Sequence, residues 1–319
     1  MKLLHSVALF VNSLLTVSLS FAWIPPARQI ATRPKSVGFP RRSFDGRKSS
    51  LSSTASSDTF QFQTGEPFPY ALEVFQGAVT YNEMLSYLNN KLLEYGYSIP
   101  QTLCATSLCG DEMNRPLEQA LSQTFCENYS LGGLAGCPFG GVTSFKKMKT
   151  HIPDGGNSVI VYGPHVGISQ DGRIGHVDRA QISATEGEHT LCCRSAILAA
   201  NHVSQVLRGE AEAMPMDLMD ASQYFVGNML RPYAERLEAH QDENSKMMDL
   251  PYVLFEGQTD LLYRIIQEGS QFGFPGAVAV LGGIQINTPP GYLDYYVPLR
   301  FELYNAEGQY LANMFESPS

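Results

Sequence analysis

The sequence predicts one α/β domain in which a largely parallel sheet is flanked by helices. Three observations carry this expectation. Short apolar runs alternate with stretches of helical periodicity from residue 58 onward. The runs are apolar at nearly every position, as in strands buried on both faces. A composition of 44% hydrophobic and 17% charged residues supplies a core and carries no signature of overall disorder.

The elements follow in chain order. Residues 81–96, YNEMLSYLNNKLLEYG, place apolar side chains at helical spacing and stop at Gly96. Residues 102–110, TLCATSLCG, read as a buried strand. NRPLEQALSQTF, 114–125, starts a helix: Asn114 can cap, Pro116 suits the first turn, and Leu117, Ala120, Leu121, Thr124 and Phe125 share one face. A glycine-rich stretch, LGGLAGCPFGG, comes next, and NSVIVYGPHVGIS, 157–169, is a second buried strand broken by a Gly-Pro-His turn. Three helices are expected over 190–209, over 217–241 with a kink at Pro232, and over 257–269. GAVAVLGGIQIN (276–287) and YYVPLRFELYN (295–305) are strands. No repeat or long linker interrupts this order.

Charge and leader composition bound the possible functions. The formal net charge is -9, and it is unevenly spread: residues 21–57 hold seven Lys or Arg and one acid, while 14 basic residues face 30 acidic ones from Asp58 onward. That acidic excess argues against nucleic acid or anionic membrane as partners of the folded part. Behind Lys2, residues 3–20 are an apolar run that is short and Ser-interrupted, a signal peptide rather than a membrane anchor. Residues 21–57 are basic and Ser-rich, as transit peptides are. A signal peptide passing into a transit peptide at SFAW, with Phe21 first after the cut, resembles the two-part presequences of plastids of secondary red-algal origin, such as those of diatoms. The expected address is the plastid stroma, with pyrenoid association open, and the mature protein, starting near Asp58, carries no membrane anchor.

All six cysteines lie in the folded part. A core of this size does not need disulfides, and an illuminated stroma is reducing, so free thiols or metal ligands are expected. Cys104 and Cys126 read as small core residues. Cys109 follows one strand, His165 follows another, and Cys192 or Cys193 opens a helix, all at strand ends where α/β chemistry gathers. Two thiolates and an imidazole are a three-ligand set for zinc that leaves the fourth position open. Spacing alone favours the plain reading, of small core thiols and a hydrogen-bonded turn histidine, over the metal one.

ATSLCGDEMNRPLE, GGLAGCPFGGVTSFKKMKTHIPDGG, VIVYGPHVGISQDGRIGHVDR, TLCC and VLGGIQINTPPGYLDYYVPLRFELY resemble the limiting-CO2-inducible protein B/C family, which includes the theta-type carbonic anhydrases of diatoms. The resemblance runs from Phe68 to Tyr304. It implies a β-carbonic-anhydrase-like α/β fold, often paired as a homodimer, and a zinc-dependent, reversible hydration of CO2 to bicarbonate. It implies zinc on Cys109, His165 and Cys193, with Cys192 as the alternative; Arg194 stands where the family usually has Gly. Asp111 would orient the attacking hydroxide towards CO2, and Arg115 would hold Asp111 off the metal. Phe139, Tyr162 and Leu191 are candidates for an apolar wall, and His176 and His189 for a proton shuttle. The alternative function is a non-catalytic, zinc-containing binding protein of a carbon-concentrating system.

Overall fold

Thr80 opens the first long helix with a capping box: its hydroxyl accepts from the Glu83 amide at 3.3 Å, and its own amide donates to the Glu83 carboxylate at 2.8 Å. Such local signals recur through the computed structural model, which describes residues 62–125, 127–179, 191–271 and 273–318. The helices are α1 (Pro69–Val74), α2 (Tyr81–Glu94), α3 (Arg115–Phe125), α4 (Gly141–Met148), α5 (Arg194–Leu207), α6 (Ala221–Leu230), α7 (Ala234–Glu238) and α8 (Glu243–Ser270). The strands are β1 (Val79–Thr80), β2 (Thr102–Ser107), β3 (Asn128–Ser130), β4 (Asn157–Tyr162), β5 (His165–Gly167), β6 (Val278–Asn287), β7 (Tyr295–Tyr304) and β8 (Tyr310–Asn313).

All eight strands join one sheet of order β1-β7-β6-β4-β2-β3, with β5 also on β6 and β8 also on β7. β3, β2, β4, β6 and β5 run parallel; β7 and the strands it carries, β1 and β8, pair antiparallel. The expected parallel sheet is therefore the part that runs from β6 to the edge at β3, with β5 beside β6. Alternation sorts the core into layers. Val159, Val161, Ala279 and Leu281 pack under α2 and α3 with Leu88, Leu117 and Leu121. Ile160, Tyr162, Val278 and Val280 face the opposite side with Phe145 of α4 and Ile265 of α8. Further along that side, Ile284 and Ile286 meet α5, α6 and α8 through Ala196, Val226 and Leu254.

Several elements differ from expectation. The helix expected over 190–209 begins only at Arg194, with Cys193 as its cap residue. The one expected over 217–241 is divided by a short 3-10 turn at Arg231–Tyr233 containing Pro232. Residues 257–269 are the second half of α8, a 28-residue helix that runs through Pro251. Pro251 removes one N–H, yet its ring is buried beside Leu250, Val253 and Leu254, so packing outweighs the lost bond. Neither α4 nor β3 carries enough periodicity to announce itself. Cys126, His189 and the whole leader fall outside the described residues.

Candidate metal centre

The parallel strands deliver the site at their carboxyl ends. β2 ends at Ser107, and Cys109 lies two residues beyond it. After β4 the chain turns at Gly163, with φ +150, where a Cβ would sit 1.7 Å from the Gly283 carbonyl oxygen. Only glycine fits there. The turn lets β5 restart beside β6 and sets His165 opposite Gln285. Cys193 arrives from the far side as the cap residue of α5.

These arrivals converge. The Cys109 and Cys193 sulfurs are 3.8 Å apart, and the two sulfurs and a His165 nitrogen all lie within 4.8 Å of one another in a fully buried cluster. Two zinc–sulfur bonds of about 2.3 Å at a tetrahedral angle would separate the sulfurs by about 3.8 Å. The imidazole is aimed by Asn287: that amide donates through Nδ2 to the Met113 carbonyl at 3.1 Å, so its Oδ1, 2.8 Å from His165 Nδ1, is an acceptor. Nδ1 then carries the proton and Nε2 the lone pair. His165 Nε2 is buried and has no hydrogen-bond partner among the described residues. Hydrogen bonding from Cys193, with burial, pushes the Cys109 thiol up. At His165 burial opposes charge, but the Cys192 and Cys109 sulfurs outweigh it and raise the imidazole pKa. A divalent cation suits this pocket: held by the unpartnered Nε2 and the Cys109 and Cys193 sulfurs, it would take the place of the proton that the neighbouring sulfurs favour on the ring.

Cys192 takes a different place. Its sulfur lies 3.4 Å from His165 Nδ1 and 3.7 Å from Asn287 Oδ1, on the protonated side of the ring. A second grouping of Asp111, His165 and Cys192 also falls within 4.8 Å. Of the two adjacent cysteines, the structure brings Cys193, not Cys192, to Cys109.

Asp111 caps the 3-10 turn Glu112–Asn114, accepting from the Met113 amide at 3.2 Å. Its guanidinium partner is not Arg115. Arg115 lies on the first turn of α3 and pairs with Glu118, its side chain 55% exposed. Helical direction carries it to the i+3 neighbour and away from the strand end. Arg179 occupies the expected place, with Nη2 3.4 Å from Asp111 Oδ2 and Nε 2.7 Å from Glu112 Oε1. That contact with Arg179 is the main reason the Glu112 carboxyl is pulled down to about 2.

Of the apolar candidates, Phe139 and Leu191 pack on the cluster that holds Cys109 and Cys193. Tyr162 does not: it belongs to the neighbouring cluster on the same side, stacked on Phe255 with its hydroxyl 2.8 Å from Thr259 Oγ1. The wall beside the ligands comes instead from Ala196, Ile197, Met247 and Leu254, which with His165 and Cys193 line a cavity of about 10 Å3. That is room for about one water molecule. His176 bridges to Leu191, one residue from Cys192, and burial lowers its pKa.

Residues 78–305 match the family described as limiting CO2-inducible proteins B/C beta carbonic anhydrases. The chain belongs to this family. A crystal structure of PtLCIB4, described as a homolog of the limiting CO2-inducible protein LCIB, is 39% identical with a TM-score of 0.70, covering 77% of this chain and 98% of that one. The crystal structure of LCIB itself shares the fold at 19% identity, with a TM-score of 0.55 over 76% of this chain and 96% of that one. Among curated proteins no match is found. Membership in the LCIB/C family and the buried Cys–His–Cys cluster together support a carbonic-anhydrase-like function.

Proposed function

We propose that this family member is a zinc-dependent carbonic anhydrase that interconverts CO2 and bicarbonate. The supporting observation is the cluster of Cys109 Sγ, Cys193 Sγ and the unpartnered His165 Nε2 at zinc spacing, with Asp111 close by. Those three atoms would hold the ion. Zinc bound there would lower the pKa of a water ligand from 15.7 towards about 7. Asp111 would accept a hydrogen bond from the attacking water and turn its lone pair to CO2. Arg179 holds that carboxylate in place, and Ile197, Met247 and Leu254 keep bulk water from the sulfurs.

On this reading residues 1–57 deliver the chain to the plastid stroma and the mature protein acts as a homodimer. A reporter fused to 1–57 tests the address: normal import after Phe21→Ala would refute the SFAW reading. The central test combines metal content and stopped-flow CO2 hydration on the chain lacking 1–57. About one zinc per chain and a hydration rate well above background are expected, with both lost in Cys109→Ser and His165→Ala. Full zinc without hydration would leave the binding-protein alternative.

A further inference from the structure

We propose that Asn287 is a positioning residue that locks the metal-binding imidazole and the Asp111 turn to one another. The proposal rests on the metal reading above and adds a residue that reading does not need. Asn287 is the last residue of β6 and is fully buried. One amide serves two parts of the site. Its oxygen accepts from His165 Nδ1 at 2.8 Å, which leaves Nε2 as the ligand atom; its nitrogen donates to the Met113 carbonyl at 3.1 Å. The Met113 amide in turn donates to Asp111 Oδ1 at 3.2 Å. A continuous path, His165–Asn287–Met113–Asp111, thus links ligand direction to carboxylate position.

The surroundings hold that amide in one orientation. Cys192 Sγ lies 3.7 Å from Asn287 Oδ1. On the neighbouring strand Gly167 pairs with Asn287, and a Cβ there would lie 2.8 Å from the Cys192 Cβ. No other side chain type does both jobs at this length. A carboxylate could accept from the ring but would face the Met113 carbonyl without a proton to give; an alkyl group could do neither. Partners of a metal-binding histidine tune ligand basicity, and losing one typically weakens metal binding 10–100-fold.

The test uses the full-length chain, with zinc affinity read by competition against a chromophoric chelator and the ligand set by the absorption bands of the cobalt(II) form. Asn287→Ala is expected to bind zinc roughly 10–100-fold more weakly. Asn287→Asp keeps the acceptor and differs little in volume; it should hold zinc within a few-fold of the parent and keep the cobalt spectrum. If Asn287→Asp loses zinc as Asn287→Ala does, an acceptor on the ring does not set the affinity and the proposal fails; if Asn287→Leu, similar in volume but without acceptor or donor, binds zinc like the parent, Asn287 merely fills space and the proposal fails as well. It fails equally if Asn287→Ala binds as tightly as the parent. A parent chain that takes up no zinc overturns the metal reading and this proposal together, whereas a zinc-loaded parent without CO2 hydration overturns only the enzyme reading.

Discussion

Arg179 reaches its two carboxylates from 67 and 68 residues away in sequence, while Arg115, four residues from Asp111, turns to Glu118. The two arginines therefore separate cleanly by mutation. Arg115→Ala removes an exposed i,i+3 pair worth a few tenths of a kcal/mol, and hydration should stay within about twofold. Arg179→Ala frees Asp111 from its only guanidinium contact among the described residues, and under the proposed activity it should cost on the order of 10²-fold in kcat at unchanged zinc content. Stopped-flow rates and metal analysis on both variants decide it; the reverse ranking would return the role to Arg115. Cys109 and His165 were visible as candidates because they sit at recognisable strand ends, whereas the role of Asp111 came only from the family resemblance. Arg179 and Asn287 were hidden because their partners are set by strand order, which no local pattern encodes. The neighbouring cysteines are told apart only by which side of the imidazole each faces.

At the scale of elements, Glu238 joins three helices. It ends α7, meets Arg208 just past α5 at 2.6 Å, and meets Lys246 in the first turn of α8 at 3.4 Å. The Ser204 hydroxyl and then Arg208 hold its carboxyl down at about 2, below the usual 4.5. A depressed carboxylate contributes stability above the unfolded value, and that contribution is lost as pH falls through the folded one. Glu238→Gln should therefore lower Tm by roughly 1–3 °C at pH 7, as a partly exposed pair allows. The deficit should shrink steadily below pH 4.5. Melting curves of parent and variant from pH 7 to pH 3 check this, and a deficit independent of pH would exclude the ionic role. Helices were the less legible elements. Pro251 masks the first half of α8, and glycines beside GVTSFKKM mask α4, because burial against the sheet supplies what propensity withholds.

Across the whole molecule, alternation of strand and helix was enough to place Cys109 and His165 at the same edge of a parallel sheet. It was not enough to show that β7 turns antiparallel and extends that sheet to β1 and β8. The same topology would make a metal bound at the proposed site a long-range fastener, since its proposed ligands come from the end of β2, from β5 and from the start of α5. A ligand that binds only the folded chain stabilises it by about 2.7 kcal/mol at a hundred times its Kd. For a domain of this size that corresponds to a rise in Tm of roughly 5–10 °C. Stripping zinc with a strong chelator should lower Tm by that amount, and restoring zinc should recover it. Cys109→Ser and His165→Ala should melt near the stripped temperature and ignore both treatments, whereas Arg179→Ala should still respond, because it acts on Asp111 and not on a ligand. Calorimetric scans with and without chelator measure all four proteins on one scale. A parent whose melting ignores the chelator while zinc leaves would show that the fold is complete without its fastener, and that the cluster serves chemistry alone.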